Sequence, residues 1–315
     1  MGEVAVRPLT VVDSAVDLIG GTPMVRLSRF GARAGADSGD VFAKCEFLSP
    51  GGSVKDRLGL GMILAAEREG KLAPGGTIIE PTAGNTGIGL ALVGVARGYR
   101  VILCVPEKYS IEKQKAMAAL GGTVVRTPTE AGMKGAIEKA HALAREIPNA
   151  YVPQQFANPA NPRIHYETTA PEIFEQMEGK VDAIAIGGGT TGTFVGVARY
   201  LRERLPAVLC ALVEPQGSVF GGGQPGPHKV EGIGNSFWPE VMDRSLMDEV
   251  ITVTDDEAFA AVKELARTEG LLVGGSSGAN AAAARHVARR LGKGKRVVTL
   301  LPDTAERYMS QGILD

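Results

Sequence analysis

Short apolar runs alternate along the chain with longer segments in which apolar residues recur every three or four positions. The runs at 41–46 (VFAKCE), 77–80 (TIIE), 100–105 (RVILCV), 123–126 (TVVR), 182–186 (DAIAI), 207–213 (AVLCALV) and 296–301 (RVVTLL) read as strands. The helical period predicts amphipathic helices at about 55–70, 85–98, 110–120, 131–146, 166–178, 192–204, 255–268 and 278–291. This alternation predicts an α/β architecture with largely parallel sheets. One long stretch, roughly 215–240, is rich in Gly and Pro and carries neither period. A loop of that length inside a compact protein more often serves function than spacing.

Composition adds limits. At 315 residues the chain exceeds a comfortable single core, so two domains are expected. Its 42 glycines are about twice the usual share, which points to many tight turns or phosphate-cradling loops. A formal net charge of −1 offers no broad attraction for nucleic acid or an acidic membrane surface, so neither partner is expected. No apolar stretch approaches the roughly 20 residues that span a bilayer, and MGEVAVRPLTVV lacks the pattern of a secretory signal. A cytoplasmic enzyme is the plain reading. Cys45, Cys104 and Cys210 form no CxxC pair, and His141, His165, His228 and His286 are scattered, so neither disulfides nor a metal site are expected.

Four segments could carry chemistry. In SPGGSVKDR (Ser49 to Arg57), Gly51 and Gly52 suit a turn, Ser53 can cap the following helix, and Asp56 stands three residues on. Lys55 then falls in the first helical turn, where the dipole disfavours the ammonium form and so favours the neutral amine that a Schiff-base lysine needs. Taken alone, a lysine so placed more often reaches into solvent. In EPTAGNTGIGLAL (Glu80 to Leu92), the hydroxyls of Thr82 and Thr86 and the amide of Asn85 join helix-start N–H groups in a cradle for a carboxylate or phosphate. The bland alternative is a well-capped turn. In IGGGTTGT, Gly187, Gly188, Gly189, Thr190, Thr191, Gly192 and Thr193 crowd N–H donors and hydroxyls between a strand and a helix. No Walker lysine follows and no acidic ribose partner stands about 20 residues on, which favours a phosphomonoester over a nucleotide. LVGGSSGANAAAA (Leu272 to Ala284) reads as a further strand, glycine turn and helix, with Ser276 and Ser277 as caps or more.

Together with QQFANPANPRIHYETT, KVEGIG, the opening IGGTPMVRL and the closing LPDTAERYMS, these ordered motifs resemble the cysteine synthase and cystathionine β-synthase family of pyridoxal-phosphate (PLP) enzymes, over nearly the whole chain. The resemblance implies a tryptophan-synthase-β-like, fold type II PLP architecture. That means two three-layer α/β domains, a smaller mobile one at 47–153 and a larger one from 1–46 plus 154–315, with PLP in the cleft between them. It implies that Lys55 binds PLP and acts as general base, that Gly187 to Thr193 hold the phosphate, that Asn85 contacts the phenolic oxygen, and that Ser276 faces the pyridine nitrogen. Thr82, Ala83, Gly84, Asn85, Thr86 and Gln155 would surround the substrate carboxylate.

Three positions depart from the family pattern: Thr191 where glycine is usual, Ala83 where many members carry serine, and Ser49 where asparagine is common. Thr191 leaves the N–H donors in place, whereas Ala83 bears on substrate preference. PEKYSIEKQ and VVRTPT resemble the cystathionine-forming branch, while QQF, GMKGAI and GQPGPHKVEGIG resemble cysteine synthases. The expected activity is cysteine formation from O-acetyl-L-serine and sulfide, with cystathionine formation from an activated serine and homocysteine as the alternative. A catalytically silent homologue is disfavoured by intact Lys55 and Ser276. The resemblance also implies a homodimer, and some relatives dock the tail of a serine acetyltransferase in the cleft. No regulatory extension beyond Asp315 and no amino-terminal segment for haem are expected.

Overall fold

The computed structural model describes residues 11–33 and 35–315; the amino-terminal stretch read for a secretory signal lies, up to residue 10, outside the described residues. The chain opens one sheet with β1 (Met24–Arg26) and β2 (Asp40–Lys44), paired antiparallel with Val25 opposite Ala43. It then lays down a second sheet, in which β3 (Thr77–Pro81), β4 (Arg100–Pro106), β5 (Thr123–Thr127) and β6 (Ala150–Tyr151) run parallel in the order β5-β4-β3-β6. With β7 (Ala183–Gly187), β8 (Leu209–Pro215), β9 (Glu249–Val253) and β10 (Arg296–Leu300) it returns to the first sheet, whose order is β1-β2-β10-β7-β8-β9. Every pair in that sheet except β1–β2 is parallel.

Parallel strands need crossovers, and helices supply them. They are α1 (Ser28–Ala32), α2 (Lys55–Arg68), α3 (Asn85–Ala96), α4 (Ile111–Ala119), α5 (Gly132–Glu146), α6 (Ala160–Ile164), α7 (Ala170–Gln176), α8 (Gly192–Arg204), α9 (Asp255–Glu269) and α10 (Gly275–Leu291). Cover on both faces explains why β4 reads as an unbroken apolar run: Val101 to Pro106 are all buried. This is the mixed α/β fold with largely parallel sheets that the alternation predicts.

Helices α2 and α3 meet backbone to backbone. A Cβ at Gly59 would lie 2.7 Å from the carbonyl carbon of Gly89, and one at Gly89 would overlap the Lys55 carbonyl. Only glycine permits this approach, and it sets the starts of the two helices, with Lys55 and Asn85, side by side. Two residues past Lys55, Arg57 donates from Nε to Glu46 Oε2 at 2.8 Å and from Nη1 to Glu172 Oε1 at 2.7 Å. Glu172 also pairs with Lys44 Nζ at 2.7 Å. Arg57, Glu46 and Lys44 are fully buried, so each charge depends on its partners, and the cluster pins the start of α2 to the end of β2.

Several expectations are corrected. The strand expected before SSGAN is a single bridge between Val273 and Thr304. The helix expected at 166–178 begins earlier and carries a π turn at His165–Thr169, where the Ala170 N–H donates to His165 O. Pro171, next in the run, has no N–H to give, which accounts for the widened turn. Strands β1, β6 and β9 escape the sequence pattern. The first two are three and two residues long, and β9 is a half-exposed edge.

Candidate active site

Lys55 is the first residue of α2. The helix cap is Val54, without a side-chain bond, and not Ser53 as expected. The Ser53 hydroxyl nevertheless accepts from the Lys55 N–H at 3.3 Å, while Asp56 Oδ2 reaches back to accept from the Gly51 N–H at 2.7 Å. Lys55 is half-buried and lines the cleft. Crowding by protein lowers its amine to about 8, with the carboxylate of Asp303 pulling the other way. Burial is therefore the leading cause, where the sequence pointed to the helix dipole.

At the start of α3, Gly84 is the cap and Asn85 the first helical residue. The Thr82 hydroxyl accepts from the Gly84 N–H at 3.3 Å, and the Thr86 hydroxyl donates to Gln155 Oε1 at 2.7 Å. Glu80, at the end of β3, accepts from the Gln154 N–H at 3.1 Å and the Gln155 N–H at 3.4 Å. Burial pushes its carboxyl up to about 7 against those two bonds. The Asn85 amide donates from Nδ2 to Asp303 Oδ2 at 2.7 Å and accepts at Oδ1 from Arg307.

The start of α8 is built differently. Behind the 187–193 loop, the Gly188 N–H is spent on Val213 O at 2.8 Å, and a Cβ at Gly188 would meet Phe220 and Leu212. A Cβ at Gly189 would overlap the Gly232 carbonyl, and one at Gly192 would overlap the amide of Asn161. Asn161 Nδ2 donates to Gln155 O at 2.8 Å and Thr190 Oγ1 at 2.9 Å, so it couples the phosphate-type loop to the QQF segment. The first backbone bond into α8 runs from the Val195 N–H to Thr191 O. The N–H groups of the preceding turn are thus left to an outside acceptor, Gly192 having only a long 3.4 Å contact with Thr190 Oγ1. Thr191, the cap, has φ +64°, a left-handed conformation that β-branched residues resist and glycine takes freely. That is the physical reason glycine is usual there.

Ser276 is the second residue of α10, whose cap is Gly274 with no side-chain bond, so neither Ser276 nor Ser277 is a cap. Ser276 lines the cleft, while Ser277 is fully buried.

Lys55, Asn85, Gly187, Gly189, Thr190, Thr191, Thr193 and Ser276 line one cleft with about 540 Å³ of atom-free space, part of it open to solvent. Gly188 and Gly192 back the loop from behind. Thr82, Ala83, Gly84, Thr86 and Gln155 adjoin the cleft through Asn85 and the Thr86–Gln155 bond without lining it directly. Asp303 and Arg307 lie in the motif LPDTAERYMS and Asn161 in QQFANPANPRIHYETT, yet sequence reasoning gave none of them a role in the site, because their partners Asn85 and Thr190 lie elsewhere in the chain. A separate groove between α2 and α6 gathers Glu67, Arg68, Arg163 and Glu167 and lacks any such constellation. Among the described residues no group of His, Cys, Asp or Glu could hold a metal, and no helix is long and apolar enough to cross a membrane.

The cleft fits PLP: uncommitted N–H groups at a helix start suit a phosphate dianion, an amine lowered to about 8 suits an aldehyde, and Ser276 offers a neutral hydroxyl. Over residues 16–303 the chain matches the family described as "Pyridoxal-phosphate dependent enzyme". It is 48% identical over 307 residues to an O-acetylserine dependent cystathionine beta-synthase of Bacillus subtilis (strain 168), covering 98% of this chain and 99% of the relative. It is 47% identical over 305 residues to a cysteine synthase of Helicobacter pylori (strain ATCC 700392 / 26695), covering 97% and 99%. The crystal structure of an O-acetylserine dependent cystathionine beta-synthase from Helicobacter pylori superposes with a TM-score of 0.90 at 46% identity, covering 97% of this chain and 99% of that one. Sequence, fold and cleft thus agree, and the chain belongs to the PLP-dependent enzymes of the cysteine synthase and cystathionine β-synthase type.

Proposed function

We propose that the protein forms L-cysteine from O-acetyl-L-serine and sulfide, with release of acetate. The observation that carries the reading is the convergence of Lys55, the open start of α8 and Ser276 on one cleft. In this reading Lys55 would hold the cofactor, and its amine would take the substrate α-proton and later return it. Lowered from 10.5 to about 8, roughly a fifth of the amine is neutral near physiological pH, against about a thousandth for an ordinary lysine, and that fraction can accept the proton. Gly187 to Thr193 hold the phosphate against the glycine-backed loop. The bound cofactor supplies an electron sink for charge developing at the α-carbon. Ser276 would face the pyridine nitrogen with a neutral hydroxyl that does not hold it protonated, which would suit replacement at the β-carbon over transamination. Thr82, Ala83, Gly84, Asn85, Thr86 and Gln155 orient the substrate carboxylate, and the segment 47–153 closes over it as the smaller domain. The reading extends to a cytoplasmic homodimer, and co-purification tests whether a serine acetyltransferase joins it.

One observation favours cystathionine formation as the second reading. Lys113 of α4, in the PEKYSIEKQ motif, pairs with Glu231 of the long loop at 2.5 Å, and Gln311 donates to the other Glu231 oxygen at 2.8 Å. A cation and an anion set beside Gly232 of the cleft are complementary to the carboxylate and ammonium of homocysteine, although here they satisfy each other. Rates with sulfide and homocysteine in competition at saturating O-acetylserine decide the matter, with Lys55→Ala as the inactive control. The expected result is an excess of cysteine; an excess of cystathionine that Glu231→Gln removes would establish the second reading.

A further inference from the structure

The closing segment of the chain enters the site in a way the mechanism above does not use. Asp303 lines the cleft beside Lys55, and its Oδ2 accepts from Asn85 Nδ2 at 2.7 Å and from the Tyr308 hydroxyl. Arg307 forks: one arm donates to Asn85 Oδ1 and the other to the carbonyl of Gly51, in the turn that precedes Lys55. The fork lies where Gly52, at φ +72°, has no side chain; a Cβ there would stand 2.6 Å from the Arg307 guanidinium.

A primary amide has two faces of opposite sense, and rotation by half a turn exchanges its oxygen for its NH2. At Asn85 a carboxyl oxygen stands at one end and a guanidinium at the other. The observed orientation makes a charge-assisted bond at each end, and the reversed one would set oxygen against carboxylate and NH2 against cation. One lone pair and one N–H are consumed, so the amide keeps a single further N–H to give, its remaining lone pair lying on the oxygen held toward Arg307. Burial raises the Asp303 carboxyl, yet its Oδ2 can accept with the proton on or off, since Oδ1 has no partner and is free to carry it.

We infer that Asp303 and Arg307 are positioning residues that lock the Asn85 amide in one orientation, so that it always offers an N–H donor, never an acceptor, to an anionic oxygen held in the cleft. The inference rests on the reading of Asn85 as a group that meets the cofactor or substrate. It gives the 303–311 segment a share in the site beyond covering it, and it couples Asn85 to the Lys55 turn through one guanidinium.

The test is PLP binding to apoprotein, read as the dissociation constant and the position of the visible band, in Asn85→Ala, Arg307→Met, Asp303→Ala and the double variant Asn85→Ala/Arg307→Met. Arg307→Met and Asp303→Ala are each expected to weaken PLP about tenfold and to move the band in the direction Asn85→Ala moves it. The double variant is expected within about twofold of Asn85→Ala alone, because a clamp has nothing to act on once its amide is gone. Tyr308→Phe, which spares both Asn85 bonds, is expected within about threefold of the parent. If the double variant loses the product of the two single effects, or if Tyr308→Phe loses as much as Asp303→Ala, the clamp is overturned while Asn85 keeps its role. If Asn85→Ala binds PLP like the parent, the reading of Asn85 falls and the clamp with it. Should Asp303→Ala fail to fold, the Arg307 arm decides by itself.

Discussion

The loops that open α3 and α8 are both strand-to-helix turns rich in glycine and threonine, yet they are held in opposite ways. The 187–193 loop is fixed from behind by backbone: Gly189 lies against the Gly232 carbonyl, Gly192 against Asn161, and the Gly188 N–H is tied to β8. The 82–86 loop has open space around Gly84, and its polar side chains are held by residues far along the chain, Gln155 on one side and Asp303 and Arg307 on the other. The first is a seat whose shape is set by packing and does not depend on what binds. The second is a set of side chains whose aim depends on other segments arriving. A resident group suits the former and a passing substrate the latter.

The largest test of this contrast places a side chain in each loop. Gly189→Val should leave a protein that does not retain PLP through gel filtration, since the new atoms must displace the Gly232 backbone. Gly84→Ala, with nothing within 4 Å of its Cβ, should bind PLP as the parent does and shift stability by no more than about 0.5 kcal/mol. Equal losses in the two variants would erase the distinction.

A second test concerns pH. Glu80 holds the Gln154 and Gln155 backbone that the 82–86 loop leans on, and its carboxyl is raised from 4.5 to about 7. A raised carboxyl binds an extra proton in the folded state between those values. Its contribution to stability is therefore full below about 4.5 and is lost as pH rises through about 7. Asp56, also raised to about 7, has the same sign, whereas His165, lowered by burial and by Arg57 and Lys55, has the opposite sign. The difference between the parent and Glu80→Gln isolates the one group. Urea midpoints of the two holoproteins should converge on the acid side and separate toward pH 8, the parent losing on the order of 3 kcal/mol relative to the variant. A difference independent of pH would mean that Glu80 titrates normally.

The smallest effect belongs to the cap of α8. Thr191 keeps a left-handed backbone despite its branched side chain, so Thr191→Gly should gain about 0.5 kcal/mol by thermal melting and keep its PLP affinity. A destabilised Thr191→Gly protein would show that the bond from the Thr191 hydroxyl to Thr190 O, at 2.6 Å, outweighs the strain.

What could be read from the sequence is what is local. A strand, a glycine turn and an apolar helix follow one another within a dozen or so residues, so the starts of α2, α3 and α8, and with them Lys55, Asn85 and the 187–193 loop, are legible in the pattern. Details of the caps were not. Ser53 and Ser276 have the chemistry of caps, but the caps are Val54 and Gly274, neither with a side-chain bond. The roles of Asp303, Arg307 and Asn161, though the residues sit in recognised motifs, were illegible for another reason: each is an ordinary polar residue until the fold brings it against a group between 29 and 222 residues away. The cause of the low Lys55 pKa was misread likewise, because burial is a property of the whole fold and the dipole of one helix.

Strand β10 lies between β2 and β7, with Val298 opposite Phe42 on one side and Ile184 on the other. The six-stranded sheet is therefore split until β10, some 250 residues after β2, has left the ribosome. The four-stranded sheet is complete once Tyr151 has emerged. Synthesis from the amino end thus yields a finished smaller sheet while β1 and β2 wait, edges unpaired, for a partner some 250 residues later. Closing that gap is the most non-local event in folding, and it delivers Asp303 and Arg307 to the site at the same moment. A truncated or stalled chain would thus carry Lys55 without the residues that complete its surroundings.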